Sequence, residues 1–296
     1  MIFNTTLLCE MVSNGIFTGA MYALMALGFS LIWGILNLFN FGHGGLYMCG
    51  AYLTWVLVSK LGMNLILSIF LTFIIMFLMG ILIEVLLIRP LGKYRGRDEW
   101  MMGTVVVTLM VAIFFEAGAL SIFGGNFKTL PSLVNKVLQI GSFRLSYQMV
   151  ISFALAVFLI LVMWRFLKST KSGLAMQAMS QENQGAQMVG INPSFIYILT
   201  FGISAAFAGT AGSLLAPIYN IYPGVGWQAF GKAFVVVMIG GLGSISGTIY
   251  AGFFLGLMES FSNIFISVKW TPVISFIVMI FVLLVRPKGL FGIKEG

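Results

Sequence analysis

Eight apolar runs, at residues 11–36, 45–60, 64–88, 101–123, 147–167, 195–218, 229–258 and 271–285, alternate with short polar tracts along the chain. A helix needs about 20 mostly apolar residues to cross the hydrocarbon core, and most of these runs approach or exceed that length. The pattern predicts an all-α integral membrane protein, a polytopic helical bundle of about eight spans. The largest polar insertions, 124–146 and 168–194, are too short to stand as soluble domains. Residues 1–296 are therefore expected to form a single membrane domain. No basic segment or small-residue cleavage signal accompanies the first run, which reads as a retained span.

Composition sharpens this reading. The chain is 60% hydrophobic and 8% charged, against about 25% charged in ordinary soluble domains, and its mean hydropathy is +1.05. The net charge of +8 does not point to nucleic acid. Its basic residues fall in tracts between apolar runs: Arg89, Lys93, Arg95, Arg97; then Arg165, Lys168, Lys171; then Arg286, Lys288, Lys294. That distribution is the positive-inside pattern, and it places 89–100, 165–194 and 286–296 in the cytoplasm. Segment 124–146 then lies outside, with Lys128, Lys136 and Arg144 as a mild exception.

Parity of the spans raises a difficulty. If 195–218 leads outward and 229–258 crosses back as one helix, the basic C-terminal tract ends outside. The run Gly240-Gly241-Leu242-Gly243-Ser244-Ile245-Ser246-Gly247 weakens a continuous helix, and a broken or re-entrant element there restores the parity. A similar punctuation, Asn37-Leu38-Phe39-Asn40-Phe41-Gly42-His43-Gly44-Gly45, lies in the first half. An offset of about 196 residues pairs Gly45-Leu46 with Gly241-Leu242 and nearly pairs Arg89-Pro90 with Arg286-Pro287. This suggests a weak internal repeat of the kind found in transporters.

Candidate chemistry is sparse. Cys9 and Cys49 form no CxxC pair and suggest neither a disulfide framework nor a metal site. No HExxH, GxSxG or GxxxxGK[ST] motif occurs, so no cofactor is expected on this chain, and any ATP that powers it must be hydrolysed on another polypeptide. Small residues recur four apart, as in Gly15 with Gly19 and Gly252 with Gly256, which suits close helix packing. Asn37, Asn40 and His43, with Gly243 of the glycine run, are candidates to line a solute path at the breaks. His43, the only histidine, also has an ordinary structural reading as a side chain bonded to a backbone carbonyl. Among Glu84, Glu116 and Glu259, Glu116 lies deepest in its run and is the best candidate for an interior polar contact.

The segment from Lys171 to Asn192 begins as a short amphipathic helix, with Leu174, Ala175, Ala178 and Met179 on one face. Gln184-Gly185-Ala186 is then followed after three residues by Gly190, the spacing of the EAA-xxx-G signature in coupling loops of ABC importer permeases. An interfacial helix resting on lipid headgroups is the plainer alternative. Together with the span from Asn14 to Gly34, the tract from Asn40 to Gly45 and the run from Gly240 to Gly247, this loop resembles the branched-chain amino-acid ABC permease family. The likeness is nearer to its LivH-like subunits than to its LivM-like ones and covers about residues 10–290. Two positions depart from the family pattern: Gly45 replaces an acidic residue, and Gln184 replaces the coupling glutamate.

The resemblance implies a permease subunit of the bacterial inner membrane that translocates branched-chain or related amino acids, urea or short amides. It also implies a LivM-like permease partner, two cytoplasmic ATPase subunits that use ATP, and an extracytoplasmic solute-binding protein. Ala178, Glu182, Gly185, Ala186 and Gly190 are then the expected ATPase-coupling residues. A stand-alone secondary transporter or channel is the alternative. It would need an ion-coupling site within the bundle, for which Glu116 is the starting point.

Overall fold

The computed structural model describes residues 5–92, 96–130, 137–140 and 143–292. Lys93, Arg95, Lys136 and Lys294 of the basic positions lie outside the described residues. The helices are α1 (Thr5–Leu36), α2 (Gly42–Trp55, extended by a π-helical turn Val56–Lys60), α3 (Leu65–Ile83, extended through Glu84–Ile88) and the single turn α4 (Arg89–Leu91). Next come α5 (Arg97–Phe123), α6 (Tyr147–Ser169), α7 (Lys171–Gln181), α8 (Asn183–Met188) and α9 (Pro193–Leu215). The last three are α10 (Val225–Gly240), α11 (Ile245–Phe265) and α12 (Thr271–Val285). A small antiparallel hairpin of β1 (Val137–Ile140) and β2 (Phe143–Ser146) decorates the 124–146 insertion of this otherwise helical membrane protein.

Each of the eight apolar runs contains helix, but they do not make eight equal spans. Among the described residues, six helices are long and apolar enough to cross a membrane, and α2 is not one of them. The run 229–258 is a pair, α10 and α11, bent by 119° at its glycine break. Gly241 and Gly243 adopt φ +100 and +79 there, a region open to glycine because it has no Cβ.

The break makes α10 and α11 a hairpin. α1 and α11 run antiparallel: Gly15 packs on Leu257 and Gly252 on Ala23, where an added Cβ would sit 2.7 Å from the facing Cα in each case. The C-terminal end of α1 meets α6 and α7 around Leu31, Gly34, Leu167 and Met176. The chain after α12 returns to the end of α10, where the Leu290 and Phe291 amides donate to the Ile239 and Gly240 carbonyls. Trp100, just past the Arg89 tract, stacks on Tyr197 at the start of α9, so the described basic tracts share one end of the bundle, which the positive-inside rule assigns to the cytoplasm. At the other end Lys60 and Lys128 lie over the Trp55 ring, at 5.7 and 5.5 Å.

Burial runs against hydropathy. The α1 and α9 spans have mean hydropathy 1.8 and 1.6 and are 89% and 83% buried over their most apolar windows. The other four range from 2.3 to 2.9 and are only 17–33% buried. Lipid is as apolar as leucine, so apolar side chains gain little by turning inward; small and hydroxyl residues are packed into the interior among large buried side chains such as Phe29, Leu24 and Phe201. Thr54 Oγ1 illustrates this, bonding Ser213 Oγ at 2.7 Å and Thr72 Oγ1 at 2.9 Å and so joining α2, α9 and α3.

The two breaks recur in corresponding order, each followed by two helices and an Arg-Pro. A fixed offset of 196 residues does not relate them, because it sets the first break opposite the interior of α10.

Candidate functional site

The first break is built by residues that stop and restart a helix. Asn37 has φ +56 and is exposed; its amide donates to the Trp33 carbonyl at 2.8 Å, so it terminates α1 as asparagine does at many helix ends. The chain then turns back, and α2 begins deep in the bundle, where the Phe41 amide donates to Thr108 Oγ1 of α5 at 3.2 Å. Asn40 is buried. His43 is fully buried in the first turn of α2 rather than in an unwound segment. Its Nε2 bonds the Met25 carbonyl at 2.9 Å and its Nδ1 lies 3.4 Å from Ser204 Oγ. The histidine therefore pins α2 to α1 and α9.

Above this start lies a narrow cleft. Its floor is α2, through Phe41, Gly44, Gly45 and Met48. One wall is α5, through Ala112 and Glu116; the other is Pro223 and the start of α10, through Gly226 and Trp227. Gly44 and Gly226 touch backbone to backbone, so no side chain fits at either position. Trp227 Nε1 donates to Glu116 Oε2 at 2.6 Å across the cleft. Glu116 sits about two helical turns before the outer end of α5.

The expectation that Glu116 is the deepest carboxylate is corrected. Glu84 and Glu259 are 2% and 4% exposed, whereas Glu116 is half-buried at the cleft edge. Glu259 is the centre of a polar network that sequence reasoning missed. Lys232 Nζ of α10 lies 2.8 Å from Glu259 Oε2, Tyr22 of α1 donates to the same oxygen at 2.7 Å, and Ser275 of α12 donates to Oε1 at 3.0 Å. Lys232 also bonds the Tyr22 hydroxyl. Its signal was available: a lysine inside an apolar run calls for a partner.

At the end of the bundle that carries the basic tracts, α7 and α8 carry the loop residues. The Thr170 side chain caps α7, and Glu182 caps α8 by accepting from the Gln184 amide at 3.2 Å. Ala178 is half-buried and Ala186 buried, while Gly190, at φ +88, turns the chain into α9. The inner face of α7 is Gly173, Met176 and Met179; Leu174, expected with Met179, points outward at 52% exposure. Met176 of that face lines a cavity with Gly34 and Gly243, so Gly243 lies at the α7 end of the bundle, remote from the Glu116 cleft. Met188 and Val189, which the motif did not single out, are 87% and 78% exposed.

The family described as branched-chain amino acid transport system, permease component, matches residues 11–283. The chain belongs to that family. It is 30% identical to the high-affinity branched-chain amino acid transport system permease protein LivH of Escherichia coli K12, over 95% of this chain and 94% of the relative. It is also 30% identical to the permease protein BraD of Pseudomonas aeruginosa, over 95% of both chains. Similarity to LivM of Salmonella typhimurium is lower, 25% over 91% of this chain and 67% of LivM. No solved structure matches. Within this permease family chain, then, α10 runs between the two regions: its start walls the cleft, and the glycine break that follows it lines a second cavity with Met176 of α7 through Gly243.

Proposed function

We propose that this chain is the membrane-spanning subunit of a binding-protein-dependent importer that moves branched-chain or related amino acids across the bacterial inner membrane. Urea and short amides are the neighbouring solute class. It pairs with a LivM-like permease subunit, receives solute from an extracytoplasmic binding protein, and is driven by two cytoplasmic ATPase subunits. The observation that carries the reading is the α7–α8 element, which offers the exposed Met188-Val189 pair at the cytoplasmic end. Apolar side chains so exposed beyond the spans suit a partner groove.

The mechanism follows from the connection of α10. Motion of the ATPases reaches α7 and α8 through Ala178, Glu182, Gly185, Ala186 and Gly190. Met176 of α7 borders the cavity that Gly34 and Gly243 line, and the glycine break lets α10 pivot against α11. Its far end then moves Gly226 and Trp227 against Glu116. In this scheme Asn37, Asn40 and His43 fix the turn and start of α2, the floor over which solute passes.

Co-purification from native membranes tests the reading. A nucleotide-binding ATPase should travel with the chain, and Gly185→Val with Gly190→Val should release it while both variants still accumulate in the membrane. A purified chain that transports leucine in liposomes without any ATPase would overturn the importer and favour a stand-alone carrier.

A further inference from the structure

The membrane-embedded carboxylates are satisfied in different ways. Glu259 has a cation, Lys232, at 2.8 Å. Glu116 has the Trp227 indole, a neutral donor, as its hydrogen-bond partner among the described residues, and no cation is among the residues lining its cleft. A carboxylate offers about four acceptor positions, and one held within a membrane bundle without a positive partner is a functional candidate.

The surroundings of Glu116 suit a small charged head with an apolar tail. Gly44, Gly45 and Gly226 present backbone rather than side chains, while Phe41, Met48 and Ala112 supply apolar surface. The walls α5 and α10 each pack on α2 and hardly on one another. The Glu116–Trp227 bond crosses the cleft between the two helices, and the segments flanking them are joined by the backbone bridge of Lys128 and Ile221; a better donor than an indole would break the side-chain bond and leave the bridge. A primary ammonium is such a donor, since charge-assisted hydrogen bonds are roughly twice as strong as neutral ones.

We propose that Glu116 accepts the ammonium group of the transported amino acid, which displaces the Trp227 indole and opens the cleft between α5 and α10. This assignment rests on the importer reading and adds to it the acceptor for the solute's cationic end.

The test uses the complete importer in proteoliposomes, with leucine-loaded binding protein in fixed excess, measuring leucine uptake and ATP hydrolysis together. Glu116→Gln should lower uptake per ATP hydrolysed about tenfold, the effect of losing one charge-assisted hydrogen bond, while binding-protein-stimulated hydrolysis continues. Trp227→Phe, which removes the competitor, should raise the ratio. Glu116→Gln with an unchanged ratio overturns the assignment, as does a parallel fall of uptake and hydrolysis, the mark of a mere strut between α5 and α10. Should Glu116→Gln fail to accumulate, Trp227→Phe decides, and a ratio that does not rise in that variant also overturns it. A wild-type importer that takes up no amino acid instead sinks the function from which the assignment starts.

Discussion

Glu259 has little water around it, and its two oxygens are held by Tyr22, Lys232 and Ser275. Removing Lys232 would strand a carboxylate that is only 6% exposed, whereas removing Glu259 would strand an ammonium with a 32% exposed side chain. Lys232→Met should therefore cost about 3 kcal/mol and Glu259→Met about 2 kcal/mol, since breaking one side of a buried pair is expensive and exposure relieves it. The double substitution should recover most of that loss. Thermal unfolding of the detergent-solubilised chain checks the order; equal, additive losses would show that the pair is not coupled. At this scale the sequence was least legible. Depth within an apolar run reports height along the membrane and not the direction of the side chain. Glu116 looked deepest for that reason, and the sequence did not show that Asn37 ends a helix.

At the scale of elements, the glycine run could be read in advance as a break, because glycine both weakens helix and tolerates positive φ. What could not be read was its partner surface, the C-terminal strap and the inner face of α7. The loop signature gave the place of α7 and α8, yet the amphipathic face was drawn wrongly at Leu174 because an eleven-residue helix allows several nearly equal faces. The exposed pair beyond it leads to a prediction. Met188→Asp with Val189→Asp should leave the melting temperature of the isolated chain within about 1 °C, as surface substitutions generally do, yet abolish ATPase co-purification. Retention of the ATPase would place the contact elsewhere on α7 or α8.

For the whole molecule, the topology assigns sides to every connection. In a cysteine-free background, cysteines introduced at Asn64 and Phe127 should react with a membrane-impermeant thiol reagent on intact spheroplasts. Cysteines at Gln184 and Lys288 should react only after permeabilisation. Labelling of Lys288→Cys from outside would mean that α10 and α11 form one crossing and not a hairpin. The count of runs and the basic tracts made most of this architecture legible. The order from centre to rim was legible too, had hydropathy been read inversely, with α1 and α9 inside because they are the least apolar spans.

The central position of α1 bears on how the chain is made. Its small-residue face is matched chiefly by α9 and α11, which leave the ribosome roughly 160 to 220 residues later, a delay of tens of seconds at ordinary synthesis rates. Until then the innermost helix must wait in lipid or against the insertion machinery with its glycines uncovered. Nascent chains cut before α11 should accordingly be recognised as unfinished and cleared by membrane proteases, however many of their outer spans have already inserted.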